Sequence, residues 1–324
     1  MPHLYIDQHG CQLAISQQQL IVRQKDKSEQ SYPLAQIQRI IITSQVHFTA
    51  AALKALFNHH IATLFCSQSG YLIGQLKSGT NNGAQVIRRA KQYKIMDDPC
   101  LSLQLASQLI NAKAHNQQRL LAYWSLNKQF GVSDFFPKIK NCHSLDSLRG
   151  FEGLVARRYF SAIRHQLKDS EFDFPARKRH PAPDPVNALL SFAYALLQSE
   201  LTVITESYGL DNFVGFLHQS SHSQPALILD LMEPFRPLVD RLVVKLLLHD
   251  YTADDFVMTE QGCRIKDKRR AIFLNAWENL LSSPLKQGES HTYRSYLQKQ
   301  VSEWVHFLEG KSDFPQWWLM HKGF

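Results

Sequence analysis

The hydrophobic period of this chain changes once, near residue 80, and that change divides whatever it folds into. Before it, apolar residues come in short runs: Leu4-Tyr5-Ile6, Leu13-Ala14-Ile15, Leu20-Ile21-Val22 and Ile40-Ile41-Ile42. Polar turn residues separate the runs, the pattern of short strands. Thr49 reads as the N-cap of one helix over 50–59, and 61–66 and 71–76 then resume strand character. His9-Gly10 reads as the first hairpin turn. Lys77-Ser78-Gly79-Thr80-Asn81-Asn82-Gly83 gathers turn formers and reads as a linker. Beyond it, apolar residues recur at helical spacing to about residue 310, with stripes in 100–127, 147–164, 185–208 and 237–249. The expected fold is α+β: a small β-rich domain over 1–76, a linker over 77–83, and a large all-helical domain over 84–324.

The placement of charge narrows the partners. Formal net charge is +8, and residues 81–180 alone carry 17 Lys/Arg against 8 Asp/Glu, a net +9. Residues 181–324 carry 13 against 17, a net −4. A basic segment of this size suits a polyanion such as DNA, and it also suits a solvated face. The five cysteines are scattered without a C-x-x-C pair, which argues against a zinc site or a disulfide framework. The N-terminus has no signal-peptide pattern. The most apolar helix candidate, near Leu238–Leu248, is interrupted by Asp240, Arg241 and Lys245, short of the roughly 18–20 residues that span a bilayer. The expectation is a soluble, reduced, cytoplasmic protein with no membrane role.

Three acidic residues and one histidine stand in unusual places. On a helix over 148–164, Leu148, Val155, Ala156, Tyr159 and Ile163 lie within about 60° of Glu152, so a carboxylate sits at the centre of an apolar stripe. There it must be paired, protonated or bound to a cation, and a salt bridge to Arg149 or a distant arginine is one outcome. The next helix runs from Pro185 to Tyr208, with Asp184 as N-cap and Gly209 at its exit. Asn187 falls in its first turn beside Arg177-Lys178-Arg179-His180. That helix end could meet a DNA phosphate, or Asp184 could simply cap it and Asn187 be solvated. His218 closes an apolar run, and Asp230 and Glu233 follow in Leu229-Asp230-Leu231-Met232-Glu233-Pro234-Phe235-Arg236-Pro237. Each proline crowds the carbonyl four residues earlier, so both carboxylates sit where a helix must bend or restart.

These residues belong to motifs that resemble the CRISPR-associated integrase family Cas1, the spacer-acquisition proteins. The matching stretches run nearly end to end. They are Leu4-Tyr5-Ile6-Asp7; Arg149-Gly150-Phe151-Glu152-Gly153 with Ala156-Arg157-Arg158-Tyr159-Phe160; and Asp184-Pro185-Val186-Asn187-Ala188-Leu189-Leu190-Ser191-Phe192. Gly209-Leu210-Asp211 with Gly215-Phe216-Leu217-His218, and the Leu229–Pro237 segment, complete the set. Ala193 and His180 depart from it, standing where relatives commonly have glycine and arginine.

The resemblance implies a metal-dependent DNA endonuclease and integrase that inserts prespacer DNA into a CRISPR array by 3′-hydroxyl attack on a phosphodiester. It implies Glu152, His218 and Glu233 as ligands of Mg²⁺ or Mn²⁺, with Asp230 and Asn187 beside them; Asp230 either orients His218 or binds the metal itself. Arg149, Arg157, Arg177, Lys178, Arg179 and Arg236 are the expected contacts to double-stranded DNA. It further implies a homodimer formed through the β-rich domain, two of which clamp a Cas2 dimer in a heterohexamer. The alternatives are a metal-dependent nuclease acting on branched or duplex DNA in repair, and a non-catalytic DNA-binding scaffold.

Overall fold

The computed structural model describes residues 3–24, 27–67, 72–76, 83–178, 181–218, 224–284 and 291–320. It divides into two compact units, Met1–Asn81 and Asn82–Phe324.

The first unit holds eight strands, one α-helix and a short 3₁₀ turn over Leu34–Gln36 among its described residues: β1 (His3–Ile6), β2 (Cys11–Ser16), β3 (Gln19–Arg23), β4 (Gln30–Pro33), β5 (Arg39–Ile42), β6 (Val46–Phe48), α1 (Ala50–Asn58), β7 (Ala62–Cys66) and β8 (Leu72–Leu76). They form two four-stranded sheets, β1-β5-β7-β8 and β4-β3-β2-β6. β5 runs parallel to both its neighbours and all four of its residues are buried, which explains its unbroken Arg39-Ile40-Ile41-Ile42 run. The core gathers Leu4, Ile6, Leu13, Leu20, Ile40, Ile42 and Leu56 from both sheets and α1.

His9-Gly10 does not make a hairpin. β1 and β2 belong to different sheets, so that turn is a crossover between them. The first hairpin is β2–β3, closed by Gln17 and Gln18 at φ 47° and 64°. Two consecutive left-handed residues give the turn whose twist matches paired strands. Glutamines there carry none of the usual Asn-Gly signal, which hid the turn.

The second unit is mostly helical: α2 (Gly83–Met96), α3 (Pro99–Tyr123), α4 (Asn127–Phe130), α5 (Phe136–Lys140), α6 (Leu145–Gln166), α7 (Pro185–Ser207), α8 (Ala226–Met232), α9 (Arg236–His249), α10 (Asp267–Ser282) and α11 (Tyr293–Leu308). It is not wholly helical, because β9 (Phe256–Thr259) and β10 (Gly262–Ile265) pair as an antiparallel hairpin between α9 and α10. Among the described residues the long apolar helix is α7 and not the 238–248 segment. α7 is long and apolar enough to cross a membrane by length and composition, yet 78% of that stretch is buried inside this unit. It is a core helix, packed on α8, α9, α11 and β10.

Local chemistry sets the elements that matter most. Asp184 caps α7 by accepting the Asn187 N–H at 2.7 Å, and Gly209 at φ 72° ends the segment. Between α8 and α9 the chain makes one 3₁₀ turn over Glu233–Phe235. Pro234 and Pro237 cannot continue a regular helix through Asp230 and Glu233, so the restart falls on this turn. α3, about 37 Å long at 1.5 Å per residue, packs against α5, α6, α9 and the 3₁₀ turn.

Candidate functional site

Glu152 and Glu233 meet through a residue that the sequence reading passed over. The Lys113 ammonium, from α3, stands 2.6 Å from Glu152 Oε1 and 2.6 Å from Glu233 Oε2. Its side chain is 8% exposed, that of Glu233 3% and that of Glu152 34%, so the three form a buried pair with one partner reaching solvent. Glu152 is therefore paired, but to a lysine and, among the described residues, not to Arg149 or another arginine. The signal was available: on α3 the buried stripe runs Leu105, Leu109, Lys113, Asn116, Leu120. Two polar residues on that stripe carry the same warning as Glu152 on its own.

Glu233 is held from both sides. Arg236 Nε donates to its Oε1 at 2.8 Å while Lys113 faces Oε2. Burial pushes its carboxyl up, but Arg236, Lys113 and His218 together overcome this and hold it at about 2. Lys113 experiences the reverse: burial favours its neutral form, yet Glu152 and Glu233 keep the ammonium charged and raise its pKa.

His218 is fixed from behind by Asp230. The ring Nδ1 lies 2.6 Å from Asp230 Oδ1, and because a carboxylate only accepts, Nδ1 is the donor, which in the neutral ring leaves the lone pair on Nε2. Asp230 is wholly buried and also accepts the backbone N–H groups of Phe216, Leu217 and His218. Its oxygens are thus committed, which suits an orienting role. Gly215 makes the approach possible, since a Cβ there would lie 2.7 Å from Asp230 Oδ2 and 2.8 Å from the Ala226 carbonyl carbon. Arg149 steadies the same loop by donating to the Leu217 carbonyl at 2.9 Å.

The donor set suits a hard divalent cation with an imidazole ligand: two carboxylates converging on one cation position, and a histidine oriented by Asp230 within electrostatic reach of Glu233. The cation they share here is the Lys113 ammonium. Among the described residues no three His, Cys, Asp or Glu side chains close around a common point.

Among the described residues, Asn187 bonds none of these four side chains. It is fully buried, its Oδ1 accepts from Arg177 Nη1 and the Lys178 N–H, and its Nδ2 donates to Ala176 O and Asp184 Oδ2. It pins the basic loop to the start of α7, so it is neither solvated nor open to a phosphate. Arg177 also donates to Ser191 Oγ and stacks over Tyr194, so its guanidinium is turned inward. Arg236 is 8% exposed, paired with Glu233 and stacked on Tyr194 at 4.6 Å, which removes it from the surface DNA contacts. Arg157 and Lys178 are exposed, and Arg179 lies outside the described residues.

Two buried networks support the site. Asp240 accepts from Tyr159 at 2.8 Å and Tyr194 at 2.5 Å, beneath Arg236. Burial raises its carboxyl to about 6 against the opposing pull of the two hydroxyls, Arg236 and Arg177. Asn116, three residues beyond Lys113, donates to Pro234 O at 2.8 Å and Trp318 O at 3.1 Å and accepts the Met320 N–H at 2.7 Å. Trp318 stacks on Phe235, with ring centroids 4.7 Å apart. The C-terminal segment is thereby built into the turn that carries Glu233.

Comparison with known proteins converges on one group. A family model described as CRISPR associated protein Cas1 matches residues 4–279. A CRISPR-associated exonuclease Cas4/endonuclease Cas1 fusion of Geobacter sulfurreducens is 31% identical over 330 residues; the match covers 96% of this chain but only 57% of the fusion. A CRISPR-associated endonuclease Cas1 of Thermus thermophilus is 31% identical over 285 residues, covering 86% of this chain and 85% of the relative. Among solved structures, a casposase bound to its integration product shares the fold at a TM-score of 0.83, with 24% identity, 98% of this chain covered and 93% of that one. A partial Cas6-RT-Cas1–Cas2 complex contains a chain 25% identical to this one at a TM-score of 0.69, covering 97% and 98%.

Proposed function

This chain belongs to the CRISPR-associated protein Cas1 family, and from that premise we propose that it is a divalent-metal-dependent DNA endonuclease and integrase of CRISPR adaptation. The observation that carries the reading is the convergence of Glu152 and Glu233, from separate helices, on one cation position, with His218 braced by Asp230 beside them.

Glu152, Glu233 and the Nε2 of His218 would hold Mg²⁺ or Mn²⁺, with the imidazole favouring Mn²⁺. Such an ion polarises a phosphodiester oxygen and stabilises the charge that develops on it. In integration, the prespacer 3′-hydroxyl oxygen forms a bond to phosphorus as a bridging P–O bond of the repeat strand breaks. The hydroxyl proton is released and the departing 3′-oxygen takes one up, so bonds and protons balance. With water as the nucleophile, the same exchange gives strand cleavage. Asp230 holds Nδ1 of His218 as the donor, so that Nε2 is the nitrogen left to accept in the neutral ring. Arg236 holds one oxygen of Glu233 and leaves the other to the cation position that Lys113 now fills.

The exposed Arg157 and Lys178 supply phosphate contacts in this reading, and the net +9 of residues 81–180 makes binding to double-stranded DNA salt-dependent. Homodimerisation through the first unit, and assembly of two dimers on a Cas2 dimer, are part of the same proposal; the Cas1–Cas2 complex among the solved relatives supports the Cas2 partnership. The test is nicking of supercoiled DNA in Mn²⁺. Wild-type protein should nick, Glu152→Ala should not while keeping its fold by circular dichroism, and equal nicking by both would refute the assignment.

A further inference from the structure

We propose that Lys113 is a built-in competitor for the metal: its ammonium and a divalent cation contend for the same two carboxylates, and metal binding displaces it. The inference rests on the metal-site reading above and extends it to a residue that the reading did not contain.

The geometry leaves little alternative. Lys113 contacts one oxygen of each glutamate at 2.6 Å, and Arg236 occupies the other oxygen of Glu233. The two carboxylates are therefore already neutralised by two cations in a largely buried site. Adding a divalent cation with the ammonium in place would set three positive centres around two negative ones, where burial leaves little solvent to screen like charges. Arg236 cannot leave easily, being buried, stacked on Tyr194 and enclosed beside Asp240. Lys113 can: its stem is flexible, and Glu152, one of its two partners, has a 34% exposed side chain. Displacement would begin at the Glu152 contact, the one that solvent and an incoming ion reach first.

Two consequences separate this from a plain structural salt bridge. Lys113 should weaken metal binding, because part of the binding energy goes into removing the ammonium. It should also preserve the site, because without it Glu152 and Glu233 face each other with no shared counter-charge. Lys113→Met keeps the length of the stem and removes the charge; Lys113→Arg keeps the charge.

The experiment is Mn²⁺ titration of the full chain without DNA, followed by loss of the free-ion EPR signal, alongside thermal melts in EDTA and in Mn²⁺. Lys113→Met should bind Mn²⁺ about tenfold tighter than wild type or better, as expected for loss of a close like charge. It should melt lower than wild type in EDTA and regain more of its melting temperature in Mn²⁺ than wild type gains. Lys113→Arg should bind no tighter than wild type. Equal or weaker Mn²⁺ binding by Lys113→Met overturns the competition while leaving the metal site standing. If neither wild type nor Lys113→Met binds Mn²⁺, the metal site itself fails and this inference with it. If Lys113→Met does not fold in EDTA, refolding it in Mn²⁺ decides: recovery supports the displacement and no recovery overturns it.

Discussion

Asp230→Asn removes a charge without changing the shape of the side chain, and its consequences can be worked from four contacts. Oδ2 accepts from the N–H groups of Phe216 and Leu217 at 2.7 and 3.1 Å, and Oδ1 accepts from the N–H and Nδ1 of His218 at 3.0 and 2.6 Å. An amide offers one oxygen and one NH₂ group, so one of these two pairs must face a donor. Bonds to a buried carboxylate contribute about 1.5–3 kcal/mol each and neutral ones about 0.5–1.5 kcal/mol, so the substitution should cost roughly 3 kcal/mol. For a unit the size of Asn82–Phe324 that lowers the melting temperature by about 10 °C. The second effect is on His218. If the amide NH₂ faces Nδ1, the ring proton moves to Nε2 and the lone pair needed for a metal is lost. The loss in metal affinity or activity should be about 10–100-fold, partly recovered by added Mn²⁺. Calorimetry measures the first effect, and ¹⁵N imidazole shifts of His218 report the tautomer directly. A wild-type melting temperature with an unchanged tautomer would refute the reasoning, because four contacts to a buried carboxylate would then have no cost.

Gly215→Ala should lower stability by about 1–3 kcal/mol, measurable in urea, because the new methyl group would overlap Asp230 Oδ2 and the Ala226 backbone. Asn116→Ala should cost about 3–5 kcal/mol by stranding the Pro234 and Trp318 carbonyls and the Met320 N–H; limited proteolysis should then cut near 317–320 faster than in wild type. The Asp240 carboxyl, raised by burial from 3.8 to about 6, holds its proton more tightly in the folded chain. Its contribution is therefore fully present below about pH 4 and is lost as pH rises through about 6, a change of roughly 3 kcal/mol. Asp240→Asn should remove that component from a plot of stability against pH; an unchanged plot would show that another group is responsible.

Much of the second unit was legible because its helices announce themselves at both ends. Asp184 and Pro185 open α7, Gly209 follows it, and Pro234 with Pro237 place the break that carries Glu233. Glu152 stood out because a carboxylate on an apolar stripe needs a partner. That argument names the need but not the partner, which comes from a helix 39 residues away in sequence. Lys113 would have emerged from the same test applied to α3. The inward commitment of Asn187 and Arg236 was hidden for a related reason: their residue types suit phosphate, but burial commits Asn187 to the 176–178 loop and Arg236 to Glu233. In the first unit, β4 and β6 escaped because they are short and mostly exposed or half-buried edge strands. The Gln17-Gln18 turn escaped because its left-handed conformation is imposed by strand pairing and not by a glycine.

The most direct measurement is integration of a labelled prespacer into a supercoiled plasmid carrying a CRISPR repeat, run with Cas2 in Mn²⁺ and in EDTA. Wild-type protein should join the label to the repeat in Mn²⁺ only, and Glu233→Gln should fail at every Mn²⁺ concentration because Glu233 completes the carboxylate pair. Joining that persists in EDTA, or full joining by Glu233→Gln, would contradict the account.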